Sequence, residues 1–169
     1  MKNYSMGSRC RIADQAVEAV TKHLLSKPQT IEVLSVEARS DYQNLGIDLL
    51  WTFYNSLGNG AMTVEVKADT YYHTGNLFLE TISNMTKGTP GCFLGSSADI
   101  YAYFFINANV LYWIPLKVAQ KWLTEQQERF SIRTTSTGAG DKHFYKTQGV
   151  LVPRDILAAE VKGTEVIQL

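Results

Sequence analysis

The chain has 169 residues, of which 45% are hydrophobic, and its 16 basic and 16 acidic residues give no formal net charge. This length suits one core better than two, and the neutral balance gives no overall sign of nucleic-acid binding. Two cysteines are too few for a disulfide framework or a zinc cluster. The chain shows no signal-peptide core and no apolar run long enough to cross a membrane, so we expect a soluble, cytoplasmic protein without a membrane partner.

Hydrophobic spacing predicts a helix followed by strands in the first half of the chain. Apolar residues repeat at helical spacing over 12–25 and alternate with polar residues over 31–38. Three further strands are predicted, at 47–54, 62–69 and 77–82. We expect the glycine-rich sequence 58–60 to form the turn between the first two of these three.

The second half also mixes helices and strands. The predicted elements are one helical turn at 96–99, strands at 100–106 and 110–114, a helix over 115–129, a hairpin of 130–136 and 144–152, and a short helix after Pro153. This order predicts an α/β fold with one domain over residues 1–169 and a mixed β-sheet flanked by helices.

Two acidic residues and a lysine are predicted to meet on one face of that sheet. The period-two alternation of 62–69 places Glu65 and Lys67 on the same side, roughly 7 Å apart along the strand. The hairpin brings Asp48, near the start of the preceding strand, beside them. Two carboxylates with an adjacent ammonium can hold a divalent metal and stabilise charge on a phosphodiester.

These elements resemble the PD-(D/E)xK nuclease superfamily, including its phage and resolvase-type members. A helix carrying Glu18 comes first, a Gly-Ile-Asp sequence ends at Asp48 on a strand, and a Glu-x-Lys sequence runs from Glu65 to Lys67 on the next strand. The proline of the family motif is absent. The resemblance covers about residues 11–114 and implies a restriction-endonuclease-like fold, to which 115–169 add a C-terminal hairpin and helix.

The resemblance implies a Mg²⁺ site that also accepts Mn²⁺, and hydrolysis of DNA phosphodiester bonds. The implied metal ligands are the carboxylates of Asp48 and Glu65, the carbonyl of Val66 and the carboxylate of Glu18 from the first helix. Lys67 would orient the attacking water or stabilise charge on the phosphate. Asp48, Glu65 and Lys67 then form the catalytic set. For Glu18, a solvent-facing position on the helix is the alternative.

Two further polar residues are candidates for a supporting role. Glu80, on the strand after the motif, can hold a water or a second metal, and Gln43 can contact a phosphate or base from its loop. Each has a plain alternative, since edge-strand carboxylates and loop glutamines commonly face water.

A basic segment near the C-terminus is the candidate DNA-binding surface. Residues 129–154 contain five basic residues and one acidic residue, a local charge of +4. We expect Arg129, Arg133, Lys142 and Lys146 to contact DNA phosphates beside the metal site. A solvated hairpin is the alternative.

Two other functions stay open at this stage. The same fold can serve as a catalytically inactive DNA-binding or protein-interaction module. An unrelated α/β binding protein can carry Glu65 and Lys67 as an ion pair on a solvated sheet face. If the protein cuts both strands of a duplex, a homodimer is expected, because two strands need two sites.

Overall fold

A computed structural model describes the backbone of residues 6–139 and 143–169, and the side chains of residues 11–136 and 146–169. The described helices are α1 (Met6–Leu25), α2 (Ser40–Gln43), α3 (Cys92–Gly95), α4 (Leu116–Gln126) and α5 (Arg154–Glu160). The described strands are β1 (Thr30–Ser35), β2 (Leu49–Asn55), β3 (Gly58–Asp69), β4 (Asn76–Asn84), β5 (Thr89–Pro90), β6 (Ile100–Phe105), β7 (Val110–Pro115), β8 (Ser131–Ala139), β9 (His143–Pro153) and β10 (Glu165–Gln168). The predicted α/β class is confirmed.

The strands form two sheets. The larger has the order β1-β2-β3-β6-β7-β10, and the smaller has the order β5-β4-β9-β8. In the larger sheet β3 and β6 run parallel, whereas the other neighbouring strands are antiparallel, so the predicted mixed sheet is confirmed. None of the described helices has the length and apolarity needed to span a membrane.

The two faces of the larger sheet bury two different cores, because side chains alternate along β6. Tyr101, Tyr103 and Phe105 point toward the smaller sheet, α4 and α5. The intervening residues of β6 point toward α1. On α1, Ala16 and Val20 are fully buried and continue the four-residue spacing seen in the sequence. The catalytic candidates on β3 must therefore be assigned to one face or the other.

The C-terminal third completes both sheets. β9 pairs with β4 from the middle of the chain, and β10 pairs with β7 at the end of the larger sheet. Residues beyond 114 therefore contribute strands to both sheets. An unpaired strand leaves backbone N–H and C=O groups without partners, and these late strands supply partners for β4 and β7.

The turn between β2 and β3 lies earlier than the sequence predicts. Asn55 pairs with Gly58, so Ser56 and Leu57 form the turn and the glycine-rich sequence already belongs to β3. The Asn55 side chain accepts the Leu57 N–H at 2.8 Å and fixes the chain reversal at this point. Gly58 has φ +119°, a conformation that favours glycine.

The predicted helical turn at 96–99 is also displaced. The single turn α3 forms just before it, over Cys92–Gly95. Ser96 instead uses its hydroxyl to donate to the Gly46 carbonyl at 2.6 Å and to accept the Ala98 N–H at 3.1 Å. Such side-chain bonds to the backbone compete with helix formation. The predicted helix over 115–129 is shorter, because α4 ends at Gln126 and a 3₁₀ turn follows.

Candidate metal and phosphate site

The predicted catalytic residues meet where β3 extends beyond the start of β2. β2 begins at Leu49, which pairs with Val64, and the later residues of β3 have β6 as their neighbour on one side. On the other side lies a cleft of about 810 Å³, lined by Asp48, Glu65 and Lys67 among others. The pairing of Glu65 and Lys67 with the tyrosines of β6 places these side chains on the face opposite to α1.

Backbone pairing brings Asp48 next to Glu65. The Asp48 N–H donates to the Val64 carbonyl at 2.9 Å, and Asp48 Oδ2 accepts the Val66 N–H at 2.7 Å. Both side chains line the cleft, and the charge of Asp48 raises the pKa of Glu65, so the two carboxyl groups lie close to each other. The N–H and C=O of one strand residue point to the same edge of the strand, so the Val66 carbonyl, like its N–H, points from β3 toward the Asp48 side.

Burial disfavours the charged form of both carboxyl groups. Burial raises the pKa of Asp48 to about 6, although the Val66 N–H favours the charged form. Burial and the charge of Asp48 raise the pKa of Glu65 to about 9, against the opposing effect of Lys67. Glu65 is 9% exposed, and its carboxylate has no hydrogen-bond or ion-pair partner among the described residues. A cation between the two carboxylates would favour their charged forms.

Lys67 is held by Glu80 from the opposite sheet. Its Nζ lies 3.6 Å from Glu80 Oε2, and the two side chains are 29% and 15% exposed. Cys92, Glu80 and Glu65 together raise the pKa of Lys67, so its ammonium stays charged. Glu80 Oε1 also accepts the Cys92 N–H in a long contact of 3.5 Å. Glu80, predicted from the sequence as a supporting residue, is thus a direct partner of Lys67.

Glu37 also faces the cleft, although sequence reasoning did not identify it. The Val36 N–H donates to the Asp48 carbonyl at 2.8 Å, so the chain after β1 passes beside the Asp48–Glu65 pair. Glu37 lines the cleft and contributes to the raised pKa of both Asp48 and Glu65. The signal that could have identified Glu37 is the antiparallel pairing of β1 with β2, because this pairing places the end of β1 next to the start of β2.

The structure does not bring Glu18 or Gln43 to the pair. Glu18 lies on α1, which packs against the other face of the sheet, and its carboxylate binds Lys22 Nζ at 2.6 Å. α1 reaches the rim of the cleft through apolar side chains, such as Ile12 and Val17, which offer no metal ligand. Gln43 is exposed on α2 and does not line the cleft.

The predicted basic residues divide into two groups. Arg133 on β8 lines the cleft opposite the carboxylates, together with the hydroxyl residues Thr135, Ser136 and Thr147. Lys146 is exposed on β9, directly before the last of these. The hairpin β8–β9 thus forms a wall of the cleft that carries groups able to bind phosphate.

Arg129 has a different position. Its guanidinium binds both carboxylate oxygens of Glu160, at 2.7 and 2.8 Å, and the Trp122 Nε1–H donates to the same carboxylate at 3.0 Å. These bonds join the end of α4 to α5 outside the cleft. Lys142, the fourth predicted DNA contact, lies outside the described residues.

Across the described side chains, no group of three or more His, Cys, Asp and Glu residues has an arrangement that could hold a metal ion. The two carboxylates and one carbonyl described above form a smaller donor set. Comparison with protein-family models, curated proteins and solved structures gives no match for this chain.

Proposed function

We propose that this protein is a Mg²⁺-dependent deoxyribonuclease of the PD-(D/E)xK type, with a restriction-endonuclease-like core, that hydrolyses DNA phosphodiester bonds. The observation that carries the proposal is the carboxylate of Glu65. Its side chain is 9% exposed, has no hydrogen bond or ion pair among the described residues, lines the cleft together with Asp48, and shares a strand face with Lys67. Burial raises the pKa of Glu65 to about 9, so its charged form is unfavourable without a counter-charge, and a bound cation would supply one.

The donor set fits a hard divalent cation. Asp48 and Glu65 would supply carboxylate oxygens and Val66 a carbonyl oxygen, and Mg²⁺ prefers oxygen ligands while keeping several waters. Mn²⁺ accepts the same donors. When bound, such a cation supplies Lewis-acid activation of the phosphate and lowers the pKa of its water.

The chain's own residues account for the remaining steps. The Lys67 ammonium, held by Glu80 at 3.6 Å, would stabilise negative charge on the reacting phosphate. Arg133 and the neighbouring hydroxyls would bind the phosphates on either side and fix the register of the strand. Lys146 would add a weaker contact at the cleft rim. A duplex-cutting activity would need a second copy of the chain, because each copy offers one such site.

A second candidate is a catalytically inactive DNA-binding module on the same fold. The observation that favours it is that two of the three catalytic candidates already have partners within the protein. Asp48 accepts the Val66 N–H, and Lys67 pairs with Glu80. In this case the basic wall of the cleft would bind DNA without a metal.

Metal titration and DNA cleavage on the same preparation separate the two candidates. We expect Mn²⁺ to bind the wild-type protein with release of protons and Mg²⁺ to support cleavage of labelled DNA that stops in EDTA. Glu65→Gln should lose both Mn²⁺ binding and DNA cleavage. Glu32 is an exposed carboxylate on β1, and Glu32→Gln should keep both. DNA binding that persists in EDTA, with no cleavage in any divalent metal, would favour the inactive module.

A further inference from the structure

The cleft has an apolar part as well as a charged part. Tyr71, Phe78 and Leu151 line the same cleft as Asp48 and Lys67. A site that bound only phosphate would need charged and hydroxyl groups, which the β3 and β8 walls already supply. Aromatic and aliphatic side chains beside them offer a surface for the uncharged part of a nucleotide, which is its base.

Tyr71 is the most exposed of these apolar side chains, at 50%. Its backbone is nevertheless fixed, because its N–H donates to Asp69 Oδ1 at 2.7 Å and its carbonyl accepts bonds from the Thr74 N–H at 3.0 Å and hydroxyl at 2.9 Å. The ring of His73 lies 6.1 Å from the tyrosine ring. A large ring is therefore held on an ordered turn with much of its surface in water.

Phe78 forms an apolar floor close to this turn. A Cβ added at Gly149 would lie 2.5 Å from the Phe78 ring, so the ring packs directly over the bare backbone of β9. Leu151 pairs with Phe78 across β4 and β9 and extends this surface.

We propose that Tyr71 is a stacking platform for an unpaired base, and that the substrate is therefore single-stranded DNA or a single-stranded flap. This inference rests on the proposed nuclease function. In a duplex each base face is covered by its neighbours, so only an unpaired base presents a free face to an aromatic ring. Tyr71 follows Lys67 by four residues, at most about 13 Å of extended chain, which a few nucleotides span.

A fluorescent base analogue tests the proposal without any cleavage step. A short single-stranded oligonucleotide carrying 2-aminopurine is titrated with protein in Ca²⁺, and binding is measured in parallel by anisotropy of an end label. Stacking on Tyr71 should change the 2-aminopurine emission, and Tyr71→Phe should preserve that change. Tyr71→Leu should abolish it and weaken single-strand binding about ten- to a hundredfold. Tyr54→Leu, which replaces a tyrosine that is 61% exposed and lies outside the cleft, is the matched control.

The outcomes distinguish this inference from the function on which it depends. If wild type and Tyr71→Leu bind the oligonucleotide equally and give the same emission, the stacking platform is wrong and the nuclease proposal stands. If blunt duplex binds as tightly as the single strand and Tyr71→Leu weakens neither, the substrate class is wrong. If the wild-type protein binds no DNA at all, the proposed function fails together with this inference.

Discussion

The Asp48 carboxylate accepts the Val66 backbone N–H at 2.7 Å and thereby joins the start of β2 to the open edge of β3. This bond holds Asp48 in the cleft beside Glu65, whose own carboxylate has no hydrogen bond or ion pair among the described residues. The bond occupies one oxygen of Asp48 and leaves the other for a ligand. Asp48 therefore joins the two strands and can also bind a ligand, whereas Glu65 can only bind a ligand.

The first prediction concerns these two carboxylates. At pH 8, Asp48→Asn should raise the free energy of unfolding of the metal-free protein by up to about 3 kcal/mol, because burial holds the pKa of Asp48 near 6 and its charge is unfavourable above that pH. Glu65→Gln should raise it at pH 8 at least as much, because the pKa of Glu65 is about 9 and the folded protein must take up a proton there that the unfolded chain does not bind. Both variants should lose the stabilisation that Mn²⁺ gives the wild type in thermal melts. Unfolding of both variants without metal would show that the carboxylates are structural ion-pair partners.

The second prediction concerns pH. The folded-state pKa values of Asp48 and Glu65, about 6 and about 9, both exceed the usual value near 4, so the folded protein binds more protons than the unfolded chain between about pH 4 and 9. The contribution of these groups to stability is present below pH 4 and is lost as pH rises through 6 and then 9. Metal-free melting temperatures should therefore fall from pH 5 to 9.

Divalent metal should reverse this trend, because it replaces the protons at the same carboxylates. Addition of Mn²⁺ should stabilise the protein more at pH 8 than at pH 6. Glu65→Gln should flatten the fall of the metal-free profile above pH 7, and Glu32→Gln should leave it unchanged. A metal-free profile that rises from pH 5 to 9 in the wild type, and not in Glu65→Gln, would contradict the assignment of a raised pKa to Glu65.

The third prediction compares two arginines of the basic segment. Arg133→Ala should weaken DNA binding and reduce its dependence on salt, because Arg133 lines the cleft and fewer counterions are released without it. Lys146→Ala should act in the same direction. Arg129→Ala should lower the melting temperature instead, since Arg129 binds Glu160, and should keep DNA affinity. Measurement of DNA affinity across a salt titration tests this prediction. Equal effects of Arg129→Ala and Arg133→Ala on affinity would contradict the assignment of DNA binding to Arg133 and of a structural role to Arg129.

The fourth prediction concerns Glu80 as a positioning residue. Glu80→Gln keeps a polar oxygen near Lys67 and should lower the single-turnover cleavage rate by no more than about tenfold, whereas Glu80→Ala should lower it by about ten- to a hundredfold. Neither should change DNA affinity in Ca²⁺. A loss of rate in a Lys67→Ala, Glu80→Ala double variant that equals the loss in Lys67→Ala alone would show that Glu80 acts through Lys67. Additive losses would contradict this role.

Local patterns in the sequence predicted much of the fold and the central part of the site. The strict alternation of 62–69 predicted that Glu65 and Lys67 share a face, and Asp48 lies beside them although the turn is displaced to Ser56 and Leu57. The alternation fixes the relative faces of Glu65 and Lys67 along β3, whereas the position of Asp48 depends on the register of β2 against β3, in which Leu49 pairs with Val64.

Features that depend on contacts between distant parts of the chain were not predictable. The pairing of β4 with β9 brings Glu80 and Arg133 to the same cleft, and no local pattern specifies that pairing. The packing side of α1, which removes Glu18 from the site, depends on which sheet face α1 covers. Glu37 lies at the site because the chain after β1 passes beside Asp48, where the Val36 N–H donates to the Asp48 carbonyl.

Single-turnover cleavage by Lys67→Ala tests the central claim most directly. Lys67 shares a strand face with Glu65 and would stabilise charge that develops only in the transition state, so its loss should lower the rate and leave DNA and metal binding intact. With saturating protein and Mg²⁺, we expect Lys67→Ala to cleave DNA about 10²–10³-fold more slowly than the wild type, and Lys67→Arg to recover little of that rate. A Lys67→Ala protein that cleaves at the wild-type rate would contradict the nuclease assignment.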